Sequence, residues 1–315
     1  MNVKSLNIIL NDYCNSRCTS CGIWKNSQKN ELSAEDIKSL SKKEEFSTVE
    51  EISLSGGEPL LIEDIDNILG AAVNFSPGLK KVFLNHNGTR PEKAKELVRK
   101  YAELVPEFYL CASIDGPKEI HDEIRGIHSF DNALKTLDAC DSLLMPNYHA
   151  MISSTIQRKN SGLDNLAYLI ELAKGRGIDF SFRFIAEAKH YYNNEGVAAA
   201  LGVPTEQMKK ILRFVSDKGL TSPFLEVQRA FYFKGKNDVV EGENGEILCK
   251  AGNTFVSVFP DKKIYPCIYS SRAIGNVIDG IVDRPLNLAR YAPCPCEPTE
   301  CVIYPMLNYS GLSSE

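Results

Sequence analysis

A short loop near the start of the chain reads Cys14-Asn-Ser-Arg-Cys18-Thr-Ser-Cys21. It directly follows the apolar run of residues 6–10, which predicts a short strand. Three cysteines on one loop can bind three irons of a cubane cluster and leave the fourth iron open, since thiolates suit iron–sulfur clusters. A structural zinc site is the alternative, although such sites usually take four ligands in paired spacing. The loop therefore indicates a metal centre at the end of the first strand.

Strand-like and helix-like segments alternate after this loop. The predicted strands are residues 6–10, 51–55, 82–85, 108–114, 149–156 and 180–185. Helical patterns cover residues 34–46, 62–75, 91–105, 130–144, 163–174 and 205–218. The sequence Ser33-Ala34-Glu35-Asp36, which resembles a capping box, opens the first of them. Repeated alternation predicts parallel βαβ units with right-handed crossovers. Six units, where a closed barrel has eight, predict a partial α/β barrel with its active site at the carboxyl ends of the strands.

The character of the sequence changes near the C-terminus. Residues 1–220 are predicted to form the barrel, residues 221–244 to connect, and residues 245–315 to form a small second domain. A hairpin turn is expected at Pro260-Asp261-Lys262, and the rest of this region is rich in Pro and Cys. Such a segment indicates a small domain that is held together by a metal centre rather than by a large core.

Composition excludes several classes of partner. The net charge of −5 gives no electrostatic basis for binding nucleic acid. No apolar run reaches the roughly 18 residues of a membrane span, and the apolar stretch at the N-terminus is too short for a signal peptide. We therefore expect a cytoplasmic protein with neither nucleic acid nor a membrane as its partner. In a reducing compartment, clustered cysteines among the ten are more often metal ligands than disulfides.

The cysteine spacing resembles the signature of the radical S-adenosylmethionine (SAM) superfamily. Gly56-Gly57-Glu58-Pro59 follows the second predicted strand, as in that superfamily, where this segment contacts the amino group of the SAM methionine. The resemblance implies a partial (β/α)6 radical SAM barrel whose Cys14, Cys18 and Cys21 hold a [4Fe–4S] cluster. SAM is then the second cofactor, bound in part by Gly56, Gly57, Glu58 and Pro59.

Further segments that end predicted strands fit the same resemblance. Asn87 lies where many members carry a Thr-Asn-Gly sequence, and Ser113 lies where relatives use a serine to hold SAM. The resemblance adds Asp115, Arg125 and Ser153 to the cofactor-binding residues. Arg125 suits a bidentate pair with a carboxylate, although a surface ion pair is an equal alternative.

One position departs from the family pattern. Members usually place an aromatic residue just before the third cysteine, where it packs against adenine, and this chain has Ser20 there. Ile23 or Trp24 is expected to cover the adenine instead. The departure concerns the adenine contacts and leaves the chemistry unchanged.

The C-terminal cysteines resemble those of SPASM and shorter twitch domains, which carry auxiliary clusters. Cys249 and Cys267 match the family's hairpin ligands, and the other ligands are expected among Cys294, Cys296 and Cys301. Five cysteines are too few for two clusters, so we expect one auxiliary [4Fe–4S] cluster and one spare cysteine. Structural zinc is the alternative.

The resemblance implies an enzyme that cleaves SAM reductively to a 5′-deoxyadenosyl radical. That radical takes a hydrogen atom from a substrate, and an electron donor such as flavodoxin or ferredoxin supplies the electron. We expect a small polar substrate of the sugar or aminocyclitol type and an oxidation or epimerisation, because the cluster loop begins too early for a preceding peptide-recognition domain. A peptide maturase is the first alternative. A non-catalytic iron–sulfur or zinc protein is the second.

Candidate catalytic groups follow the sixth predicted strand. They are Glu187, His190 and Tyr191, with Tyr192 beside them. A His beside a Glu is plausible acid–base equipment, whereas the alternative is an ordinary polar loop. Cys111 and Cys140 lie in apolar segments and are expected to be packed core thiols.

Overall fold

A parallel sheet forms the centre of the protein. In this computed structural model, the described residues are 2–220 and 251–283. All six predicted strands are present, and each pairs in parallel with the next along the chain. They are β1 (Ser5–Ile9), β2 (Glu51–Ser55), β3 (Lys81–His86), β4 (Glu107–Ser113), β5 (Tyr148–Ile156) and β6 (Asp179–Phe184). The predicted partial α/β barrel is confirmed.

Helices cross between these strands and follow the last of them. They are α1 (Ala34–Ser41), α2 (Ile65–Val73), α3 (Pro91–Tyr101), α4 (Lys118–Arg125), α5 (Phe130–Asp141), α6 (Leu163–Arg176), α7 (Lys189–Tyr192), α8 (Val197–Leu201) and α9 (Thr205–Asp217). The sequence predicted six of them and missed the short helices α4, α7 and α8. Within the described ranges, no helix has both the length and the apolar character needed to cross a membrane.

The sheet continues beyond β1 into the C-terminal region. There β7 (Phe255–Val258) pairs in parallel with β1, and β8 (Lys263–Tyr265) returns antiparallel to β7 through the predicted turn. Lys262 completes that turn with φ 63°. The short strands β9 (Gly275–Asn276) and β10 (Gly280–Ile281) extend the same sheet. The hairpin is thus confirmed as a continuation of the barrel sheet, while the predicted connecting segment lies outside the described residues.

The two faces of the sheet differ in polarity, because alternate side chains of a strand point to opposite faces. The outward face packs against the helices as the main core, with residues such as Leu6, Ile8, Ile52, Leu54, Val82 and Leu84 fully buried. The inward face carries Asn7 on β1, Ser53 on β2 and Asn85 on β3, which line a cavity. The barrel interior is therefore an open cavity in which polar side chains stand among apolar ones such as Phe83 and Met151, unlike the aliphatic layers that fill a closed barrel.

The predicted capping box at the start of α1 is present. The Ser33 hydroxyl accepts a hydrogen bond from the Asp36 amide at 3.2 Å, and the Asp36 carboxylate accepts one from the Ser33 amide at 2.8 Å. The Asp36 carboxylate also lies 3.1 Å from Lys262 Nζ in the β7–β8 turn. This reciprocal cap satisfies donors that the helix leaves unpaired and links α1 to the C-terminal hairpin.

Replacing Ser33 by Ala should lower the free energy of unfolding by about 1 kcal/mol, because the Asp36 amide loses its acceptor. Equilibrium unfolding in urea measures the change. The matched control is Ser41→Ala at the other end of α1, where the exposed hydroxyl bonds only the Lys38 carbonyl, and it should cost less than about 0.5 kcal/mol. Equal costs for the two variants would show that the cap does not stabilise the helix.

Candidate active site

The carboxyl ends of the parallel strands open into one cavity of about 640 Å³. Its lining includes the three loop cysteines and all nine residues that the resemblance assigns to cofactor binding: Gly56, Gly57, Glu58, Pro59, Asn87, Ser113, Asp115, Arg125 and Ser153. Residues far apart in the sequence thus meet at the place where the barrel geometry puts an active site. The volume lies in the range of roughly 300–1,000 Å³ that is usual for small-molecule sites.

The end of α4 holds the middle of the cysteine loop. The Arg17 amide donates to the Arg125 carbonyl at 2.8 Å, and the Thr19 amide donates to the Ile124 carbonyl at 2.9 Å. These two bonds flank Cys18. A helix that the sequence analysis missed therefore fixes the middle of the loop.

The three cysteines are partly buried at the cavity wall. Burial raises the pKa of Cys14 to about 12 and that of Cys21 to about 11. Burial also raises the pKa of Cys18, against the opposing effect of Arg125, whose guanidinium lies 3.9 Å from the sulfur. Thiolates at these positions need compensating positive charge, which the irons of a cluster supply.

The donor set fits a thiolate-bound cluster. Three sulfur ligands on one loop face a cavity with space beside them, as a cluster with one iron open to a second cofactor requires. Across residues 2–220 and 251–283, no three His, Cys, Asp or Glu side chains form a group that could hold a metal ion. The assignment of Cys14, Cys18 and Cys21 to a cluster therefore depends on ligand chemistry and placement.

The Gly-Gly-Glu-Pro segment lies directly against the cysteine loop. The Gly57 amide donates to the Asn11 carbonyl at 2.8 Å, and the Glu58 amide donates to the Tyr13 carbonyl at 3.0 Å. A Cβ atom on Gly57 would lie 2.0 Å from the Tyr13 carbonyl oxygen, so only glycine permits this approach. Pro59 then opens a short 3₁₀ turn. The segment thereby fixes where the cysteine loop leaves β1.

Glu58 uses its carboxylate within the protein. The two oxygens accept hydrogen bonds from the Asn87 amide at 2.7 Å and the Leu60 amide at 3.0 Å. The side chain is buried, and burial raises its pKa to about 7 despite these two donors. Glu58 connects the ends of β2 and β3, so its side chain stabilises this part of the cavity wall.

Asn87 connects the end of β3 to the cysteine loop. Its Nδ2 donates to Asn15 Oδ1 at 2.7 Å and to Ser16 Oγ at 2.9 Å, and it lies 3.9 Å from Cys14 Sγ. Its Oδ1 accepts from the Thr89 amide at 3.1 Å. The side chain is buried, and it positions the start of the loop beside Cys14.

A buried ion pair stands at the end of β4. Arg125 Nε donates to Asp115 Oδ2 at 2.7 Å, and Asp115 is 1% exposed, which excludes the alternative of a surface ion pair. The other oxygen of Asp115 accepts from the Thr155 amide of β5 at 3.0 Å. Asp115 therefore orients Arg125 toward Cys18 and joins β4 to β5 and α4.

Three serines and an arginine continue the inner wall. Ser113 and Ser153 are register partners on β4 and β5, and Ser153 pairs in turn with Ser181 on β6. Arg183 lies farther along β6, with its guanidinium 5.4 Å from the Tyr192 ring and its Nε 3.3 Å from Thr155 Oγ1. Ser181 and Arg183 were missed by the sequence analysis. The alternation of inward positions along β6 is the signal that identifies both.

The three catalytic candidates have different surroundings. Glu187 accepts hydrogen bonds from the Gly196 and Ala198 amides at 2.8 and 3.2 Å, so it caps α8. The exposed His190 ring packs against Phe259 and Tyr265, with centroid distances of 4.8 and 4.5 Å. Neither is among the described residues that line the cavity, whereas Tyr191 is.

The remaining cysteines divide into three groups. Cys267 is buried and lines the same cavity as the loop cysteines, but Cys249, Cys294, Cys296 and Cys301 lie outside the described residues. Cys140 is a packed core thiol, as predicted. Cys111 is also buried, but it lies in the cavity wall rather than among the outer helices.

Ile23 and Trp24, the residues expected to cover the adenine, line the cavity as well.

Replacing Asp115 by Asn should lower the free energy of unfolding by about 3–5 kcal/mol, because it leaves the Arg125 charge buried without its partner. Urea denaturation measures the loss. The same substitution in the exposed Lys118–Asp131 pair, Asp131→Asn, should cost less than about 1 kcal/mol. The double variant Asp115→Asn with Arg125→Met should be less destabilised than the sum of its singles. Strict additivity would refute a coupled pair.

Comparisons with known proteins agree with this geometry. Residues 8–156 match the family model of the Radical SAM superfamily. GTP 3′,8-cyclase of Marinobacter nauticus is 26% identical over 183 residues, which are 57% of this chain and 53% of the cyclase. Fe-coproporphyrin III synthase of Methanosarcina barkeri is 33% identical over 130 residues, which are 40% of this chain and 31% of the synthase. The chain spans about half the length of the cyclases that it matches in Marinobacter and Haemophilus.

Solved structures share the fold at low identity. SuiB of Streptococcus suis bound to S-adenosylmethionine superposes with a TM-score of 0.65 and 18% identity, covering 88% of this chain and 64% of SuiB. The enzyme anSMEcpe with bound AdoMet gives a TM-score of 0.62 and 19% identity, covering 88% of this chain and 78% of that protein. Residues 8–156 thus match a superfamily that uses a [4Fe–4S] cluster and S-adenosylmethionine, and the solved structures share the fold.

Proposed function

We propose that this protein abstracts a hydrogen atom from a small polar substrate and so promotes its oxidation or epimerisation. The bound cluster and SAM would supply the chemistry, which is reductive cleavage of SAM to a 5′-deoxyadenosyl radical. One observation carries the proposal: the three loop cysteines and the nine predicted cofactor-binding residues line a single cavity at the carboxyl ends of the strands. An external donor such as flavodoxin or ferredoxin would deliver the electron.

The roles of the protein groups follow from their positions. Cys14, Cys18 and Cys21 would hold three irons. Backbone carbonyls at Gly56 and Gly57 are suited to accept hydrogen bonds from the SAM ammonium group, because they lie at the end of β2 and line the cavity. Ser113 and Ser153 offer neighbouring hydroxyl groups on the inner wall. We retain Tyr191 as a substrate-facing candidate, and its hydroxyl lies 3.3 Å from the Gly56 carbonyl oxygen.

Several polar side chains in the barrel interior support a small polar substrate. Below the strand ends, the inner wall presents the side chains of Asn7, Ser53, Asn85, Ser181 and Arg183 to the cavity. Amide, hydroxyl and guanidinium groups match a molecule that carries many hydroxyl or amino groups, as sugars and aminocyclitols do. These groups, which stand among apolar lining residues such as Phe83 and Met151, are the feature that favours a sugar-like molecule.

A peptide substrate is the second candidate function. SuiB bound to its precursor peptide SuiA has a TM-score of 0.66 to this chain, and anSMEcpe with bound Cp18Cys peptide has one of 0.60. The identities are only 18% in both cases, so the fold is shared and the substrate is open to test. A screen of aminocyclitols, sugars, short peptides and GTP for substrate-dependent release of deoxyadenosine separates these classes. Stimulation by peptides alone would replace the first proposal with the second.

An auxiliary cluster is proposed in the wall of the same cavity. Cys267 is the described member of the C-terminal cysteine set, and its position on the cavity wall gives an electron acceptor close to the substrate. Cys249 and two of Cys294, Cys296 and Cys301 would complete its ligands. One cysteine would remain as a thiol able to return a hydrogen atom in an epimerisation.

Replacing Cys14, Cys18 and Cys21 together by Ala should remove about four irons per chain and abolish deoxyadenosine formation. Iron and sulfide are assayed after anaerobic reconstitution, and deoxyadenosine is followed on reduction in the same sample. Cys140→Ala serves as the matched control, since Cys140 is buried in the helical core away from the cavity, and it should leave the iron content unchanged. Zinc in place of iron, with no deoxyadenosine from the unaltered protein, would support the non-catalytic alternative.

Replacing Cys267 by Ala should lower the iron content from about eight to about four per chain while deoxyadenosine release continues. The expected reason is that Cys267 ligates only the auxiliary cluster. The measurement is iron content together with deoxyadenosine release in the absence of substrate. An unaltered protein with about four irons and intact SAM cleavage would remove the auxiliary cluster and the oxidation that depends on it.

A further inference from the structure

We infer that Asn194 is a positioning residue that holds Cys21 in place through the segment after β6. This segment, residues 186–194, is called the β6 strap. The inference rests on the proposed function, in which Cys21 binds the cluster. It adds a role for a cavity-lining residue that the sequence pattern did not single out.

Asn194 first fixes the shape of the strap. Its Oδ1 accepts a hydrogen bond from the Ala188 amide at 2.9 Å, and its Nδ2 donates to the Ala186 carbonyl at 2.9 Å. Asn194 is 7% exposed, and Ala186 and Ala188 are buried as well. One side chain thus closes the strap on itself, because a buried amide is stable only when its donor and acceptor groups are paired.

Asn194 also reaches the cysteine loop. The same Nδ2 donates to the Ser20 carbonyl at 3.0 Å, across 174 residues of sequence. On the other side of Cys21, the Gly22 amide donates to the Tyr192 carbonyl of the strap at 2.6 Å. The β6 strap therefore forms hydrogen bonds with the backbone immediately before and immediately after Cys21.

The packing between strap and loop is close. A Cβ atom on Gly22 would lie 2.1 Å from the Asn193 carbonyl oxygen, so glycine after the third cysteine is required by this contact. Asn193 itself adopts the left-handed conformation with φ 49°, which turns that carbonyl toward the loop. The backbones of the two segments are therefore in close contact at Gly22 and Asn193.

Each loop cysteine thus has a different support. Asn87 of the β3 end lies beside Cys14, the end of α4 flanks Cys18, and the strap flanks Cys21. The support of Cys21 combines one amide side chain, which pairs three backbone groups, with the backbone bond between Gly22 and Tyr192. Asp in its place would keep the acceptor for Ala188 but would set a carboxylate against two carbonyl oxygens.

The experiment uses the full chain and compares Asn194→Ala with Asn147→Ala. Asn147 makes one comparable bond, from Nδ2 to the Val105 carbonyl at 2.9 Å, between the loops that precede β4 and β5, at the opposite end of the barrel. Trp24 is the only tryptophan, and its Nε1 donates to the Cys21 carbonyl at 2.8 Å. Its fluorescence quenching by acrylamide therefore reports the loop in protein without cluster, and thermal unfolding shows that each variant is folded.

Asn194→Ala should increase Trp24 quenching and speed amide exchange across residues 18–26 by roughly tenfold or more, since paired buried groups lose their partner. After reconstitution it should bind less iron and alter the electron paramagnetic resonance spectrum of the reduced cluster with SAM. Asn147→Ala should leave all four readouts as in the unaltered protein. Gly22→Ala, which attacks the same contact from the loop side, should reproduce the Asn194→Ala pattern and serves if that variant does not fold.

Two results separate failure of the inference from failure of the proposed function. Normal Trp24 quenching, amide exchange and cluster spectrum in Asn194→Ala, with deoxyadenosine released by the unaltered protein, would overturn the role of Asn194. An unaltered protein that binds no iron and releases no deoxyadenosine would overturn the proposed function, and with it the cluster-positioning role. A loosened loop in Asn194→Ala would then show only that the strap supports the loop.

Discussion

The buried pair of Asp115 and Arg125 is the interaction on which the site depends. Asp115 stands at the end of β4, and it holds Arg125 on α4 and the Thr155 amide on β5. Because the Arg125 carbonyl in turn holds the Arg17 amide, the pair fixes the cysteine loop relative to the sheet. A charge buried this deeply is stable only with its partner. The pair therefore holds the ends of β4, β5 and α4 in one arrangement.

The open barrel allows polar side chains to stand in its interior. A closed barrel can fill its centre with aliphatic layers, whereas this sheet ends at β6 and β10 in the described residues and leaves a lined cavity. The outward face then has to supply the stability, and it does so through a large aliphatic core under the helices. Because the outward face supplies the stability, the inward face can carry the hydroxyl and amide groups that line the cavity.

Local patterns predicted the fold well because strand alternation and capping are local. The bounds of β2 matched to the residue, and the Ser33 capping box formed as predicted. Helix α4 was missed because it spans only eight residues and, of its two buried side chains, only Ile124 is apolar. Glu187 and His190 were chosen for their chemistry, but their surroundings are set by tertiary contacts that no local pattern encodes. For the same reason Asn194 resembled any loop residue.

Asparagine is the side chain that assembles this site. Besides Asn87 and Asn194, Asn11 bonds the Glu58 carbonyl at 3.0 Å, and Asn160 and Asn165 both donate to the Asp115 carbonyl at 3.0 and 3.1 Å. An amide offers donors and an acceptor without charge, so it can join two irregular backbone segments in a buried place. Lysine or aspartate there would add a buried charge to the wall of the cavity. Neutral crosslinks add no further charge to the cysteines, Glu58, the Asp115–Arg125 pair and Arg183, which line the cavity.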